Sequence, residues 1–189
     1  MKIGILSDTH KKVGRAKKAI DMLLENGASL LVHAGDIGKE DTLAYLEESG
    51  VPYVAVLGNN DKKLSSLKDR YNLFTEPHYF ETDGIKAKLM HHPWFLSPDS
   101  DLIIFGHTHK FSVECSKEGK LFINPGEVCA RNKPVSEAVL LDVLEGGWRV
   151  VRCQRRIKET EWQYNEIHLE VPRGRELDEK RYERVPKHV

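Results

Sequence analysis

Residues able to bind metals or move protons recur in this chain directly after short apolar runs. Asp8-Thr9-His10 follows Ile3-Gly4-Ile5-Leu6, and Gly106-His107-Thr108-His109 follows Leu102-Ile103-Ile104-Phe105. In both blocks the polar side chains stand two positions apart, so an extended backbone points them to one side. Gly35-Asp36, Gly58-Asn59-Asn60-Asp61 and His91-His92 lie between them, each again after an apolar run. Taken singly, Gly-Asp is an ordinary turn and His-x-His an ordinary loop. Taken together, five blocks supply imidazole, carboxylate and amide at successive strand exits. That is the donor set of a two-metal hydrolytic site.

The elements that must position these blocks can be read in order. Met1 to Leu6 reads as a buried strand. Val13, Ala16, Ile20, Leu23 and Leu24 recur at helical spacing before the Asn26-Gly27 stop. Ser29 to Ala34 is a second strand, Lys39 to Glu48 a short helix, and Tyr53 to Leu57 a third strand. This βαβαβ order brings three blocks to the carboxyl ends of parallel strands, where open sheets place their sites. Leu64 to Tyr71 reads as a further helix. Beyond it the chain turns β-rich. His78 to Glu81 and Ile85 to Met90 flank Asp83-Gly84, a hairpin signal. Val113 to Cys115 then pairs with Leu121 to Ile123, and Glu137 to Leu144 with Trp148 to Cys153. An α/β half followed by a β half predicts two sheets packed face to face with helices outside.

A chain of 189 residues accommodates one domain with a sizeable core. Lys plus Arg and Asp plus Glu balance at 29 each, so there is no global basic surface for nucleic acid. No apolar run is long enough to span a membrane. Three cysteines, Cys115, Cys129 and Cys153, form no disulfide framework and fit a reducing cytoplasm. After Cys153 the composition becomes dense in charge. Residues 1–153 are therefore taken as the domain and 154–189 as an extension, with one edge strand over 162–171 and a tail from Pro172.

The ordered series D-T-H, G-D, G-N-N-D, H and G-H-T-H resembles the calcineurin-like metallophosphoesterase family, in particular its small single-domain prokaryotic phosphodiesterases. The resemblance implies a four-layer αββα sandwich of two facing mixed sheets. It assigns Asp36 as a carboxylate bridging two divalent ions, with Asp8, His10 and His109 on one and Asn59, His91 and His107 on the other. Mixed nitrogen and oxygen donors suit Mn²⁺ first, then Ni²⁺, Fe or Zn²⁺. The implied activity is a cytoplasmic phosphodiesterase acting on a small phosphate ester by activated hydroxide. A phosphomonoesterase or nucleotidase, or a non-catalytic scaffold of the same fold, are the other readings, and a homodimer is left open.

The sequence departs from that family at two places. Many members carry a histidine where this chain has Asn60, and that imidazole is thought to protonate the leaving group. Asn60 donates a hydrogen bond but delivers no proton near neutral pH. Asp61 then has no imidazole to orient and reads as a loop cap; the site either works without a general acid or takes His92 as a substitute. After the Asn124-Pro125-Gly126 turn stands Glu127 in place of a small hydroxyl residue; it either adds a negative charge near a phosphate site or points away, and Arg131 is either a compensating cation or a surface residue. Residues 93–106 are too few for a cap domain, so the site reads as open. Trp94 and Phe95 either stack on a nucleobase or aryl group or pack their own loop.

Overall fold

The computed structural model describes residues 1–171. Its first half alternates β1 (Lys2–Leu6), α1 (Val13–Glu25), β2 (Leu30–His33), α2 (Glu40–Glu47) and β3 (Tyr53–Val56). A 3₁₀ turn (Lys62–Leu67) then leads to β4 (Leu73–Phe74). The second half is β5 (His78–Thr82), β6 (Ile85–Leu89), β7 (Leu102–Ile104), β8 (Ser112–Cys115), β9 (Leu121–Asn124), β10 (Val135–Leu144), β11 (Gly147–Arg156) and β12 (Gln163–Glu170).

These strands make two sheets. The larger runs β12-β11-β10-β1-β2-β3-β4 and the smaller β5-β6-β7-β9-β8. β1 through β4 are parallel, as are β6, β7 and β9. β2 and β3 are buried at every residue because both faces are covered. On the outer face, α1 inserts Ala16, Ala19, Ile20 and Leu23, an i, i+3, i+4, i+7 stripe. α1 stops at Asn26, whose N–H reaches Met22 O, followed by Gly27 at φ 86°. α2 adds Leu43 and Leu46 to the same core. On the inner face Ile3, Ile5, Val32 and Val54 meet Leu89, Leu102, Ile104 and Ile123 of the smaller sheet. Two facing mixed sheets with helices outside is thus the architecture. Among the described residues the helices lie against the larger sheet.

Two local readings change. The helix expected over 64–71 is only the 3₁₀ turn, because Ser65-Ser66 is weak helix former and the chain must extend again at once to pair β4 with β3. β11 continues through Cys153 to Arg156 and pairs with β12 along its length, so the larger sheet extends beyond residue 153. The tail expected from Pro172 lies outside the described residues. Among the described residues no helix is long and apolar enough to cross a membrane.

The sheet-to-sheet core is the layer that fixes the distance between the two sets of strand ends. Leu89 is fully buried in it. Leu89→Ala should cost about 2–5 kcal/mol, read as a lower urea midpoint at unchanged m-value.

Candidate metal centre

Parallel strands of both sheets end at one edge, and their exits carry the expected residues. β1 leads into Asp8 and His10, β2 into Asp36, β3 into Asn59, β6 into His91 and β7 into His107 and His109. The loops are tied to one another by Asp8 N–H to Gly35 O at 3.0 Å, His10 N–H to Asp36 O at 2.7 Å and Gly106 N–H to His91 O at 3.1 Å. Gly106 lets the two sheets touch here, since a Cβ would stand 2.1 Å from Ser7 Oγ and 2.5 Å from Ala34 O. Among the described residues seven non-glycine residues have left-handed backbone, and five of them are Asp8, His10, Asp36, His107 and His109. Each such residue costs roughly 1–2 kcal/mol, and strain of this kind concentrates at functional sites.

The side chains gather into two overlapping groups. In the first, His10 Nε2 lies 3.4 Å from His109 Nε2, and His109 Nε2 lies 3.2 Å from Asp8 Oδ1. In the second, His91 Nε2 lies 3.0 Å from Asn59 Oδ1 and 3.2 Å from His107 Nδ1. Asp36 joins them, with Oδ2 at 3.7 Å from His10 Nε2 and 3.6 Å from His91 Nε2. Donor atoms of Asp8, His10, Asp36 and His109 all fall within 4.8 Å of one another. His92 closes a similar group with His91 and His107.

Supporting hydrogen bonds decide which way these donors face. His109 Nδ1 meets the carboxylate of Glu127 at 2.5 Å, and His91 Nδ1 meets Ala34 O at 2.9 Å. Both partners are acceptors, so each ring carries its proton on Nδ1 and presents an Nε2 lone pair to the centre. Those lone pairs face oxygens. Asp8 Oδ1 is also buried without a hydrogen-bond partner, while Oδ2 takes bonds from Ser7 Oγ and His107 N–H. Lone pairs converging on lone pairs in a buried space fit a cation between them, and the mixed N/O donors suit a transition metal.

The electrostatics agree. Burial pushes Asp8 up to about 7, against the Ser7 hydrogen bond and the nearby His109. Burial likewise lowers His10, His91 and His107, which keeps these imidazoles neutral at pH 7. For Asp36 burial is opposed by the Asn60 N–H and amide and by His91 and His10, and the net shift is down. His33, behind the site and bonded to Thr9 Oγ1 at 2.9 Å, is pushed down to about 3 by complete burial.

The seven expected metal ligands lie at this edge together with Asn60 and His92, in distinct positions. Asn60 turns inward, its amide Nδ2 at 2.7 Å from Asp36 Oδ2 and its N–H at 2.9 Å from Oδ1. Asp61 caps the loop as expected, accepting from the N–H groups of Ile37, Gly38 and Gly58. His92 is held by Glu76 at 2.5 Å and stacks on Trp94. Trp94 is 71% exposed and Phe95 44%, so neither is buried beneath its loop. That loop is anchored instead by buried Lys88, whose Nζ reaches Ser97 O at 2.9 Å and Asp99 at 2.6 Å. Glu127 neither faces a phosphate nor points away, since it is buried and orients His109.

Three participants escaped the sequence reading. Glu76 also binds the N–H groups of His91 and His92, yet nothing near it in the chain marks it. Cys129 lies within 4.8 Å of the His10 and His109 donors, its thiol pushed up to about 12 by burial and the adjacent Glu127. The third is His33 behind Thr9. For Glu127 the available signal was its replacement of a hydroxyl residue.

Residues 1–146 match a family profile described as the calcineurin-like phosphoesterase superfamily domain. A phosphodiesterase of Methanocaldococcus jannaschii is 29% identical over 164 residues, which is 80% of this chain and 98% of that protein. A solved archaeal phosphodiesterase superposes with TM-score 0.67 at 27% identity, covering 89% of this chain and 100% of the other. Vps29 of Entamoeba histolytica, solved in complex with zinc, superposes with TM-score 0.66 at 19% identity, covering 89% and 99%.

Two outcomes follow from this geometry. In the metal-free chain Asp8 stays protonated below about pH 7, and above its unfolded value of 3.8 that upward shift increasingly destabilises the fold until pH passes about 7. A bound cation requires the carboxylate. Mn²⁺ should therefore raise Tm more at pH 8 than at pH 5.5, and an equal increment at both would contradict the assignment. Glu127→Gln, which keeps the shape but loses the charge that orients His109, should weaken Mn²⁺ affinity by about 10–100-fold in a titration.

Proposed function

Since the chain belongs to the calcineurin-like phosphoesterase superfamily, we propose that it is a phosphodiesterase working with two divalent ions, Mn²⁺ foremost, at this strand edge. One observation carries the reading. A single carboxylate, Asp36, is shared by the two donor groups at 3.7 and 3.6 Å, as a bridge between two ions requires. Asp8, His10 and His109 complete one site, and Asn59, His91 and His107 the other. When bound, such ions supply hydroxide near neutral pH and charge neutralisation at phosphorus.

The chain's own groups supply the rest. Asn60 holds Asp36 in place by its backbone N–H and side-chain amide. The Asn59 side chain, exposed at the lip, can also donate to a phosphate oxygen. In this reading His92, oriented by Glu76 and with its ring centroid 4.5 Å from that of His107, donates a proton to the leaving oxygen. Three free thiols, at Cys115, Cys129 and Cys153, fit a reducing cytoplasmic setting.

Two measurements test this. Purified chain loaded with Mn²⁺ should contain about two metal equivalents and hydrolyse bis-p-nitrophenyl phosphate. Asp36→Asn should lower that rate by more than the roughly 100-fold typical of losing an outer partner. Preference for p-nitrophenyl phosphate over the diester would instead favour a monoesterase. The proton role is read from leaving groups. His92→Ala should lose about 10²–10⁴-fold in kcat/KM on alkyl diesters and little on nitrophenyl esters. Equal losses on both would remove His92 from that role.

A further inference from the structure

The overall charge balances at 29 against 29, but its distribution does not. Beside His10, Asn59 and Asn60 opens a cavity of about 920 Å³ lined by Lys11, Lys12, Arg15, Lys62, Lys63 and Arg131, with no carboxylate in its wall. Several cations elsewhere on the described residues are neutralised. Arg149 pairs with Asp142 and Glu166, Arg152 with Glu137, Lys120 with Asp101 and Lys88 with Asp99. None of the six side chains around the cavity forms an ion pair with a described carboxylate. Like charges held together without counter-charges repel, so their convergence beside the candidate centre calls for an anion.

The basic surface does not end there. Lys11, Lys12 and Arg15 also line a second cavity of about 470 Å³, completed by Lys18 and Arg155 and again without a carboxylate. Arg155 is 4% exposed, and its Nε has no hydrogen-bond partner. Its Nη1 reaches only the Glu159 carbonyl at 2.9 Å, and its guanidinium lies over Trp162. A buried guanidinium without an acidic partner is costly, and an anion in this second cavity would relieve it. The two cavities share three residues, so they form one track, longer than a single phosphate needs. At the other end of the site Trp94, stacked by one face on His92, is largely exposed, and Phe95 is partly so.

We propose that this track holds the flanking phosphates of a single-stranded oligonucleotide, so that the diester presented to the centre is one link of a nucleic-acid strand. The proposal rests on the phosphodiesterase reading for its chemistry, though not for its binding. Spaced cations track a phosphate backbone, and exposed aromatic faces accept bases without choosing a sequence.

Binding of fluorescein-labelled phosphorothioate octathymidylate to the Mn²⁺-loaded full chain, followed by anisotropy, reads the track without needing turnover. Each phosphate neutralised on a single strand contributes about 0.7 to the slope of log affinity against log salt. The wild type should show a slope of about 2 or more, which is on the order of tenfold weaker binding between 50 and 200 mM salt. Lys12→Gln/Lys62→Gln should lower that slope by about 1.4. Lys68→Gln/Lys117→Gln removes the same charge from other exposed positions and should leave the slope unchanged. A wild-type slope near zero, or equal loss in both double variants, would overturn the proposal. So would diadenosine tetraphosphate competing as well as the octamer, since that result assigns the cavity to a short polyphosphate. Salt-dependent binding in a chain that hydrolyses no diester would retain the track and remove the phosphodiesterase reading.

Discussion

Everything at this strand edge depends on lone pairs that face one another. Glu127 and Ala34 O fix the protons of His109 and His91 on Nδ1, so both Nε2 atoms look inward at oxygens. Asp8 Oδ1 is buried with nothing donating to it. Once Asp8 is ionised, without a cation each contact is repulsive or wasted, and among buried groups the penalty is large. The surrounding fold is what enforces it. Five left-handed residues, a glycine with no room for a Cβ and backbone bonds between loops hold the donors where isolated loops would not. Two sheets locked by the Ile3, Ile5, Leu89 and Ile104 layer supply that rigidity.

Much of this was legible in the sequence, for a physical reason. Parallel strands end at one edge, so a donor block after each apolar run had to meet the others, and Asp8, Asp36, Asn59, His91 and His107 did. The alternation of β1, α1, β2, α2 and β3 was equally plain, because helical and extended periods differ. The supports were not legible. Glu76 reaches His91 and His92 from an irregular segment, and Glu127 reaches His109 across a loop. Contacts made by tertiary packing leave no local period. The segment 64–71 carried enough apolar residues for a helix, but the pairing of β4 with β3 overrode that weak propensity.

Trp94 shows the same limit from the other side. The sequence allowed it either to pack or to stand free, and the choice was made by Lys88, a charged residue within β6. Its buried ammonium ties Ser97 and Asp99 and so sets the loop that lifts Trp94 into solvent beside His92. A lysine fully buried against a partly exposed aspartate contributes little to stability on balance. What it supplies is a fixed path for a loop with no other regular hydrogen bonding.

Asn60 brings these threads together. With a histidine at that position, one residue would flank the shared carboxylate and deliver a proton. Under the proposed function the two tasks are divided here. The amide commits its donor to Asp36 Oδ2 and its backbone N–H to Oδ1, which helps hold that carboxylate below its usual range despite its burial. A lower basicity keeps Asp36 ionised and available to both donor groups, at the expense of any acid on this loop. Among the described residues, the imidazoles at this edge that hydrogen-bond a carboxylate are His109 and His92, and His92 belongs to the opposite sheet. Under the proposed function, the leaving group therefore departs toward the smaller sheet and Trp94. The strand on the other side of phosphorus then extends over the larger sheet, toward Asn60, Lys62 and the start of α1, where the unpaired cations lie.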